Sequence, residues 1–247
     1  MSLLYADSMD GATLGAGLGD NYLTAQGYGG AGAGDAVAGR GATGVAIYNL
    51  QGVYTRTVSS ISSGTGIYVG AAIKVDSGTG DQLGFQLSNG SGVQLTLYID
   101  RDDRSVALYR GTSAGTLLVS GSAASFEFGT WFYLEMKVKV HDTAGYAQLR
   151  IGEAMVALEL TEGDTQNQAA GTVTLIGFQF PNCYIDDFYT LDDTGDAPLN
   201  DFLGDGSFSA PPTGDAVAFE DFTGAYGDPA RRQDARNDVL ARGLYAR

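Results

Sequence analysis

Residues 131–140 read WFYLEMKVKV, and the alternation in this stretch decides the fold class. Every second side chain from Phe132 to Val140 is apolar, whereas the positions between them include Glu135 and two lysines. Because the side chains of a β-strand point alternately to the two faces of its sheet, this period of two predicts a long strand with one buried and one exposed face.

The neighbouring segments repeat the pattern. Apolar residues alternate over 67–75, 83–87 and 93–99, and Asn89-Gly90 supplies the positive φ angles of a tight hairpin turn. About a dozen short strands with frequent turns, and almost no helical periodicity before residue 228, predict an all-β antiparallel β-sandwich or jelly roll. Further strands are predicted at 45–47, 53–58, 106–108, 147–151, 154–160, 172–180 and 184–191. The glycine-rich segment 11–44 is predicted to form long loops.

Composition excludes several classes of function. The 247 residues hold 14 Lys and Arg against 29 Asp and Glu, a net charge of −15, which disfavours nucleic acid. One His and one Cys allow no His/Cys zinc set, no disulfide framework and no Cys-x-x-Cys pair within one chain. No run of about 18 apolar residues predicts a membrane span, and the first residues lack the features of a secretory signal. We therefore expect neither nucleic acid nor membrane as a partner, and a chain that acts in the cytoplasm or leaves the cell without a signal.

The chain changes character towards its end. Residues 228–247 carry five Arg and three Asp, so they are net +2 and the remaining chain is −17. Asp228 is a good helix N-cap, with Pro229 in the first helical position and Gly243 at the end, which predicts a short C-terminal helix. We predict a jelly roll over 1–205 and an extension over 206–247 with an acidic linker and an Arg-bearing helix. The positive helix is expected to dock on another subunit through Arg231, Arg232, Arg236 and Arg242.

Two adjacent acids interrupt an apolar strand. In residues 184–189, YIDDFY, both faces are otherwise apolar, so Asp186 or Asp187 is expected to be partly buried. A buried carboxylate must be hydrogen-bonded or paired. Its partner is either the backbone of the N-terminal strand or a Ca²⁺ ion held together with loop oxygens, and both alternatives stay open.

Catalytic groups are scarce. Glycoside hydrolysis needs two carboxyls about 5–9 Å apart, and the compact E-x-D-x-x-E strand motif of jelly-roll glucanases does not occur. Glu127 and Glu135 are separated by a predicted turn at Gly129-Thr130, and His141 lies in another predicted turn. We predict that the protein is not an enzyme.

Aromatic residues occupy predicted outward positions. Trp131 and Tyr133 share the polar face of the long strand, and Tyr98 and Tyr109 are expected nearby. Such rings suit a carbohydrate-binding platform, because the C–H faces of sugars stack on them. Cover by a subunit partner or a long loop explains the same residues.

Four stretches occur in the order seen in one family. Residues 3–11 (LLYADSMDG) resemble the "SFDG" first strand of concanavalin A-like, LamG-type jelly rolls in tailed-phage structural proteins, with Met9 at the usual Phe position. Residues 129–135 (GTWFYLE) are similar to "G-x-W-Y-x-L-E". Residues 184–195 (YIDDFYTLDDTG) and 200–205 (NDFLGD) resemble "IDDFYVLDTTG" and "NNFLGD". The part after Asp205 does not follow the family's longer extension.

The resemblance implies a concanavalin A-like sandwich of two antiparallel sheets on a virion, as capsid decoration, head fibre, spike or tail adhesin. We expect a non-enzymatic virion surface protein, a homo-oligomer, which contacts other virion proteins and host surface polysaccharide. Fold-level likeness alone does not fix function. The alternatives are a purely structural capsid decoration protein without sugar binding, and a bacterial carbohydrate-binding module.

Overall fold

The computed structural model is an all-β, antiparallel sandwich, as the sequence predicts. It describes residues 3–7, 28–29, 35–38, 45–76, 82–122, 126–152, 155–194, 202, 207–209 and 218–221. Among these residues, no helix is long and apolar enough to cross a membrane. Their strands are β1 (Leu3–Asp7), β2 (Tyr28–Gly29), β3 (Asp35–Ala38), β4 (Val45–Ile61), β5 (Gly66–Val75), β6 (Gln82–Ser88), β7 (Val93–Asp100), β8 (Ser105–Arg110), β9 (Thr116–Ser122), β10 (Trp131–Lys139), β11 (Gly145–Ile151), β12 (Met155–Gly163), β13 (Val173–Asp192), β14 (Ser207–Ser209) and β15 (Ala218–Asp221).

Strand β13 belongs to both sheets of the sandwich. Neighbouring strands follow the order β12-β11-β10-β5-β13-β6-β7-β8-β9. Residues 183–192 of β13 pair with β5, and residues 175–179 pair with β6. The first sheet is therefore β12-β11-β10-β5 with the second half of β13, and the second sheet is β6-β7-β8-β9 with its first half. Strand β4 pairs with β13 in both halves, and β1 pairs with its end.

The two longest strands correct the predicted strand count. The strands predicted at 45–47 and 53–58 are one strand, β4, and those predicted at 172–180 and 184–191 are one strand, β13. The register between β13 and β4 shifts between Phe180 and Tyr184, and Asn182 has a φ of 52°. Such an irregularity bends a strand without ending its hydrogen-bonded ladder, so one strand passes from sheet to sheet.

The inward faces of the two sheets form one apolar core. The first sheet contributes buried residues such as Val138 and Leu149, and the second sheet contributes buried residues such as Leu97 and Leu108. The predicted hairpin turn is confirmed: Gly90 has a φ of 77°, and the side-chain carbonyl of Asn89 accepts backbone hydrogen bonds of 3.0 and 3.1 Å within the turn.

Parts of two further predictions lie outside the described residues. In the glycine-rich segment 11–44, the short strands β2 and β3 pair with β4, and the other predicted loop residues are not among those described. In the extension, β14 pairs with β15. The predicted helix in 228–247, with Arg231, Arg232, Arg236 and Arg242, is also outside the described residues, so its docking role stays a prediction.

Candidate functional site

Four side chains stand side by side on the outward face of the sandwich. Tyr48 of β4 is the register partner of Tyr184 in β13, Tyr184 is the partner of Lys74 in β5, and Lys74 is the partner of Trp131 in β10. Direct cross-strand partners share one face of a sheet. Because the preceding residue of β5, Ile73, lies in the core, this row points outward. We call these four residues the aromatic row.

The rings of the aromatic row touch one another around the lysine. The Tyr48 and Tyr184 ring centroids are 4.7 Å apart, and those of Tyr184 and Trp131 are 6.2 Å apart. Lys74 Nζ lies 3.6 Å from the Tyr184 centroid and 5.5 Å from the Trp131 centroid. All four side chains are half-buried, so each keeps part of its surface in solvent. The row is thus a half-exposed apolar strip with one ammonium group at its centre.

Asp76 adds a carboxylate beside the row. Its backbone N–H donates to the carbonyl of Asn182 at 3.1 Å, which holds the end of β5 against the bend of β13. The pKa of Tyr48 is raised above its usual value. The largest cause is burial, and the charge of Asp76 and a side-chain hydrogen bond to Asp76 add to it. Burial and the same charge raise the pKa of Tyr184. Both phenols therefore remain protonated, as hydrogen-bond donors, at neutral pH.

A buried arginine supports the bend that carries Tyr184. Arg101 is 1% exposed, and its guanidinium donates to the carbonyl of Pro181 at 3.0 Å. Pro181 precedes Asn182, the residue with the positive φ. The position of Tyr184 relative to the rest of the row therefore depends on a turn between β7 and β8, which lies 80 residues before Pro181 in the chain.

The predicted platform residues are not together. Tyr133 is 2% exposed, so its prediction as an outward sugar platform is wrong; its ring stacks on Tyr189, and its hydroxyl donates to the carbonyl of Asp187 at 3.1 Å. Tyr98 and Tyr109 are half-buried and in edge-to-face contact at 6.3 Å, but on the second sheet. Of the four predicted residues, only Trp131 belongs to the aromatic row.

A buried polar cluster explains why the outward face of β10 is not exposed throughout. Glu135 is 1% exposed and accepts a hydrogen bond from the Tyr189 hydroxyl. The Tyr189 ring crosses Gly70, where a Cβ would lie 2.5 Å from the ring Cζ. Glycine thus provides the space that lets this tyrosine cover the carboxylate. Glu127, the other carboxylate considered for hydrolysis, is exposed in the turn before β10.

Both predicted metal-ligand candidates are buried. Asp186 and Asp187 are 4% and 3% exposed, and the Asp186 carboxylate accepts the backbone N–H of Asp187 at 2.9 Å. Asp187 has a φ of 49° and lies where the register between β13 and β5 shifts. In this contact the partner of the carboxylate is a backbone N–H, that of the neighbouring residue, and the calcium alternative stays a prediction. Within the described residues, no group of three or more His, Cys, Asp or Glu could hold a metal ion.

Most of the site has no direct signal in the sequence. Lys74 and Tyr184 do occupy outward positions in predicted alternating strands, but the register that joins them to Tyr48 and Trp131 depends on pairing across the whole chain. Period-two alternation identifies the face of a residue and not its cross-strand neighbour.

Comparison with known proteins gives weak structural similarity only. No protein-family model and no curated protein matches the chain. A protein of unknown function with a galectin-like fold from Bacillus subtilis is 11% identical, with 77% of this chain and 96% of that chain covered and a TM-score of 0.49. Galectin LEC-6 of Caenorhabditis elegans is 15% identical (59% and 94% covered, TM-score 0.41). Carbohydrate-binding module CBM66 from Bacillus subtilis is 9% identical (67% and 95% covered, TM-score 0.44). With TM-scores below 0.5, these similarities assign no function to this chain.

Proposed function

We propose that this protein is a non-enzymatic carbohydrate-binding protein whose sugar stacks on the aromatic row. The observation that carries the proposal is the in-register placement of three half-exposed rings and an ammonium on one face of a sheet, with the Asp76 carboxylate interacting with Tyr48. Small-molecule sites combine apolar, largely aromatic lining with a few placed polar groups, and this strip has both. The rings would take the C–H face of a pyranose, and Asp76 and the phenol hydroxyls would bind its hydroxyls.

The aromatic row suits sugar binding better than the pair of rings on the second sheet does. Tyr98 and Tyr109 offer two rings in edge contact. The row offers three rings, and the cation Lys74 lies against two of them. A pyranose ring is about as large as one aromatic ring, so a strip of three rings held in register is long enough for a short oligosaccharide.

The test is binding to a broad glycan array, followed by calorimetric titration with the tightest glycan. Trp131→Ala and Tyr184→Ala are each expected to weaken binding by about 2 kcal/mol, roughly thirty-fold, as for a central aromatic contact. The matched control is Tyr146→Ala, because Tyr146 is a half-buried tyrosine beneath Lys137 and Lys139 on the same sheet. A blank array, or equal losses in Tyr146→Ala and Tyr184→Ala, would refute the proposal.

We further propose that the protein is displayed on a phage virion, with the extension 206–247 docked on another virion subunit. The support is the order of four family-like stretches over residues 3–205 and the positive charge of residues 228–247. Antibody against this chain should then label purified virions in electron micrographs. A chain truncated at residue 227 should label them less, and undiminished incorporation would contradict the docking role of the arginines.

A purely structural decoration protein is the second candidate. It would label virions as well, yet it would bind no glycan, so the array and the micrographs together separate the two functions.

A further inference from the structure

Lys74 holds the one charge of the aromatic row, and the Asp76 carboxylate lies beside the same row. Its ammonium contacts the Tyr184 and Trp131 rings at 3.6 and 5.5 Å from their centroids. Across the described residues, the structure gives this ammonium no carboxylate partner within salt-bridge distance. Ring faces attract a cation through their quadrupole but accept no conventional hydrogen bond, so these two rings do not use the N–H donors of Lys74.

The neighbouring carboxylate, that of Asp76, has a partner within the protein. Asp76 already accepts a side-chain hydrogen bond from Tyr48, and this bond contributes to the raised pKa of that tyrosine. Among the described residues, the site thus contains a carboxylate that interacts with Tyr48 and an ammonium that contacts two aromatic faces. A ligand that supplies an anion satisfies more of these groups than a neutral or cationic ligand does.

We propose that the aromatic row selects acidic sugars, specifically hexuronic acids, through a charge-assisted hydrogen bond between Lys74 and the sugar carboxylate. This inference rests on the proposed function, because it assigns a ligand class to the same site. Hydrogen bonds between ionised partners are about twice as strong as neutral ones. A hexuronic acid is therefore expected to bind ten-fold or more tightly than the corresponding neutral hexose.

The geometry of the row suits this ligand. The carboxylate of a hexuronic acid is attached to C5, at the edge of the pyranose ring, so the C–H face of the ring stays free to stack. Lys74 Nζ lies over the Tyr184 ring and 5.5 Å from the Trp131 centroid, beside the two rings whose centroids are 6.2 Å apart. A pyranose on the indole of Trp131 therefore has its edge beside the ammonium, which itself lies over the Tyr184 ring.

The net charge of −15 does not oppose this selection at physiological salt. Exposed charges are screened over about 8 Å at 0.15 M ionic strength, so the nearest charges, attractive Lys74 and repulsive Asp76, dominate the interaction with a bound carboxylate. The same reasoning makes the preference salt-dependent. Affinity for the acidic sugar should fall as sodium chloride is added, whereas affinity for a neutral sugar should change little.

The experiment compares a hexuronate oligosaccharide with its carboxyl-reduced form, which is the same chain with neutral hexoses. Both are titrated by calorimetry into the wild-type protein and three variants. Lys74→Met is expected to lose the preference, and Lys74→Arg to retain it, because the guanidinium keeps the charge. Lys137→Met is the matched control, since Lys137 also lies over tyrosine rings on this sheet face, six residues or about 20 Å further along β10 from Trp131.

The outcomes separate the two proposals. Tighter binding of the acidic form that disappears in Lys74→Met and persists in Lys74→Arg and Lys137→Met supports the inference. Equal binding of the two forms, or an undiminished preference in Lys74→Met, overturns it and leaves the sugar-binding function intact. If neither form binds and the glycan array is blank, the proposed function itself fails, and the inference fails with it.

Discussion

Replacing Gly70 with alanine tests the packing that closes the outward face beside the aromatic row. A Cβ at this position would lie 2.5 Å from Cζ and 2.8 Å from the hydroxyl oxygen of Tyr189. Since these separations are far below van der Waals contact, the ring must move away. Its movement also removes the hydroxyl donor from Glu135, a carboxylate that is almost completely buried.

The magnitude follows from three contributions. Overpacking a well-filled site costs about 1–3 kcal/mol, and loss of a hydrogen bond to a charged group costs about 1.5–3 kcal/mol. Alanine is favoured over glycine within a strand by about 0.5–1 kcal/mol, which offsets part of this loss. Gly70→Ala should therefore lower the free energy of unfolding by about 2–5 kcal/mol, a large share of the roughly 5–15 kcal/mol of a typical domain.

Urea unfolding monitored by circular dichroism measures the loss. Gly152→Ala is the control, because Gly152 has a φ of 63° and no atom within 4 Å of its added Cβ, so it reports backbone strain alone, about 1–2 kcal/mol. In a Tyr189→Val background the contacted ring atoms are absent, and Gly70→Ala should then become neutral or stabilising. The reasoning is refuted if Gly70→Ala costs no more than Gly152→Ala, or costs as much in the Tyr189→Val background as in the wild-type protein.

Three further predictions concern the bend and the row. Arg101→Met should lower the free energy of unfolding by about 1.5–3 kcal/mol and weaken glycan binding, because a charged donor to the Pro181 carbonyl is lost; an unchanged urea midpoint would contradict this. Asn182→Gly should be tolerated, whereas Asn182→Val should cost about 1–2 kcal/mol at this positive φ; equal midpoints for the two variants would exclude the bent backbone. The raised pKa of Tyr48 contributes stability that is complete below the unfolded value of 10.0 and is lost as pH rises through the folded value. In an ultraviolet titration, the wild-type protein should show a tyrosine that ionises at a higher pH than usual, and the Tyr48→Phe variant should lack it.

The fold class follows from side-chain alternation, but the long strands do not. The inward residues of β10 and the turn at Asn89-Gly90 are found where the local pattern predicts them. The local sequence pattern does not predict that β13 continues through both sheets, because Pro181-Asn182 resembles a turn between two strands. The structure keeps the ladder intact there with a positive φ and a carbonyl held by Arg101.

The candidate site is only partly predictable for a related reason. Trp131 and Tyr133 lie two residues apart on the polar face of one strand, so they carry the same sequence signal for an outward ring. They differ in exposure because another ring covers only one of them: Tyr189 lies in the space at Gly70 and stacks on Tyr133. This cover depends on pairing between strands more than a hundred residues apart, which a local pattern does not contain.

The central position of β13 also has a consequence for how the chain reaches its native state. Both β5 and β6 pair with this strand, which is synthesised about a hundred residues after them. At translation rates of about 5–20 residues per second, both strand edges wait on the order of ten seconds for their partner. Open edges of this kind template wrong pairing, and late non-local closure makes folding slow. The aromatic row forms only when β13 enters between its neighbours, so a nascent or truncated chain without β13 lacks Tyr184 and with it the proposed sugar site.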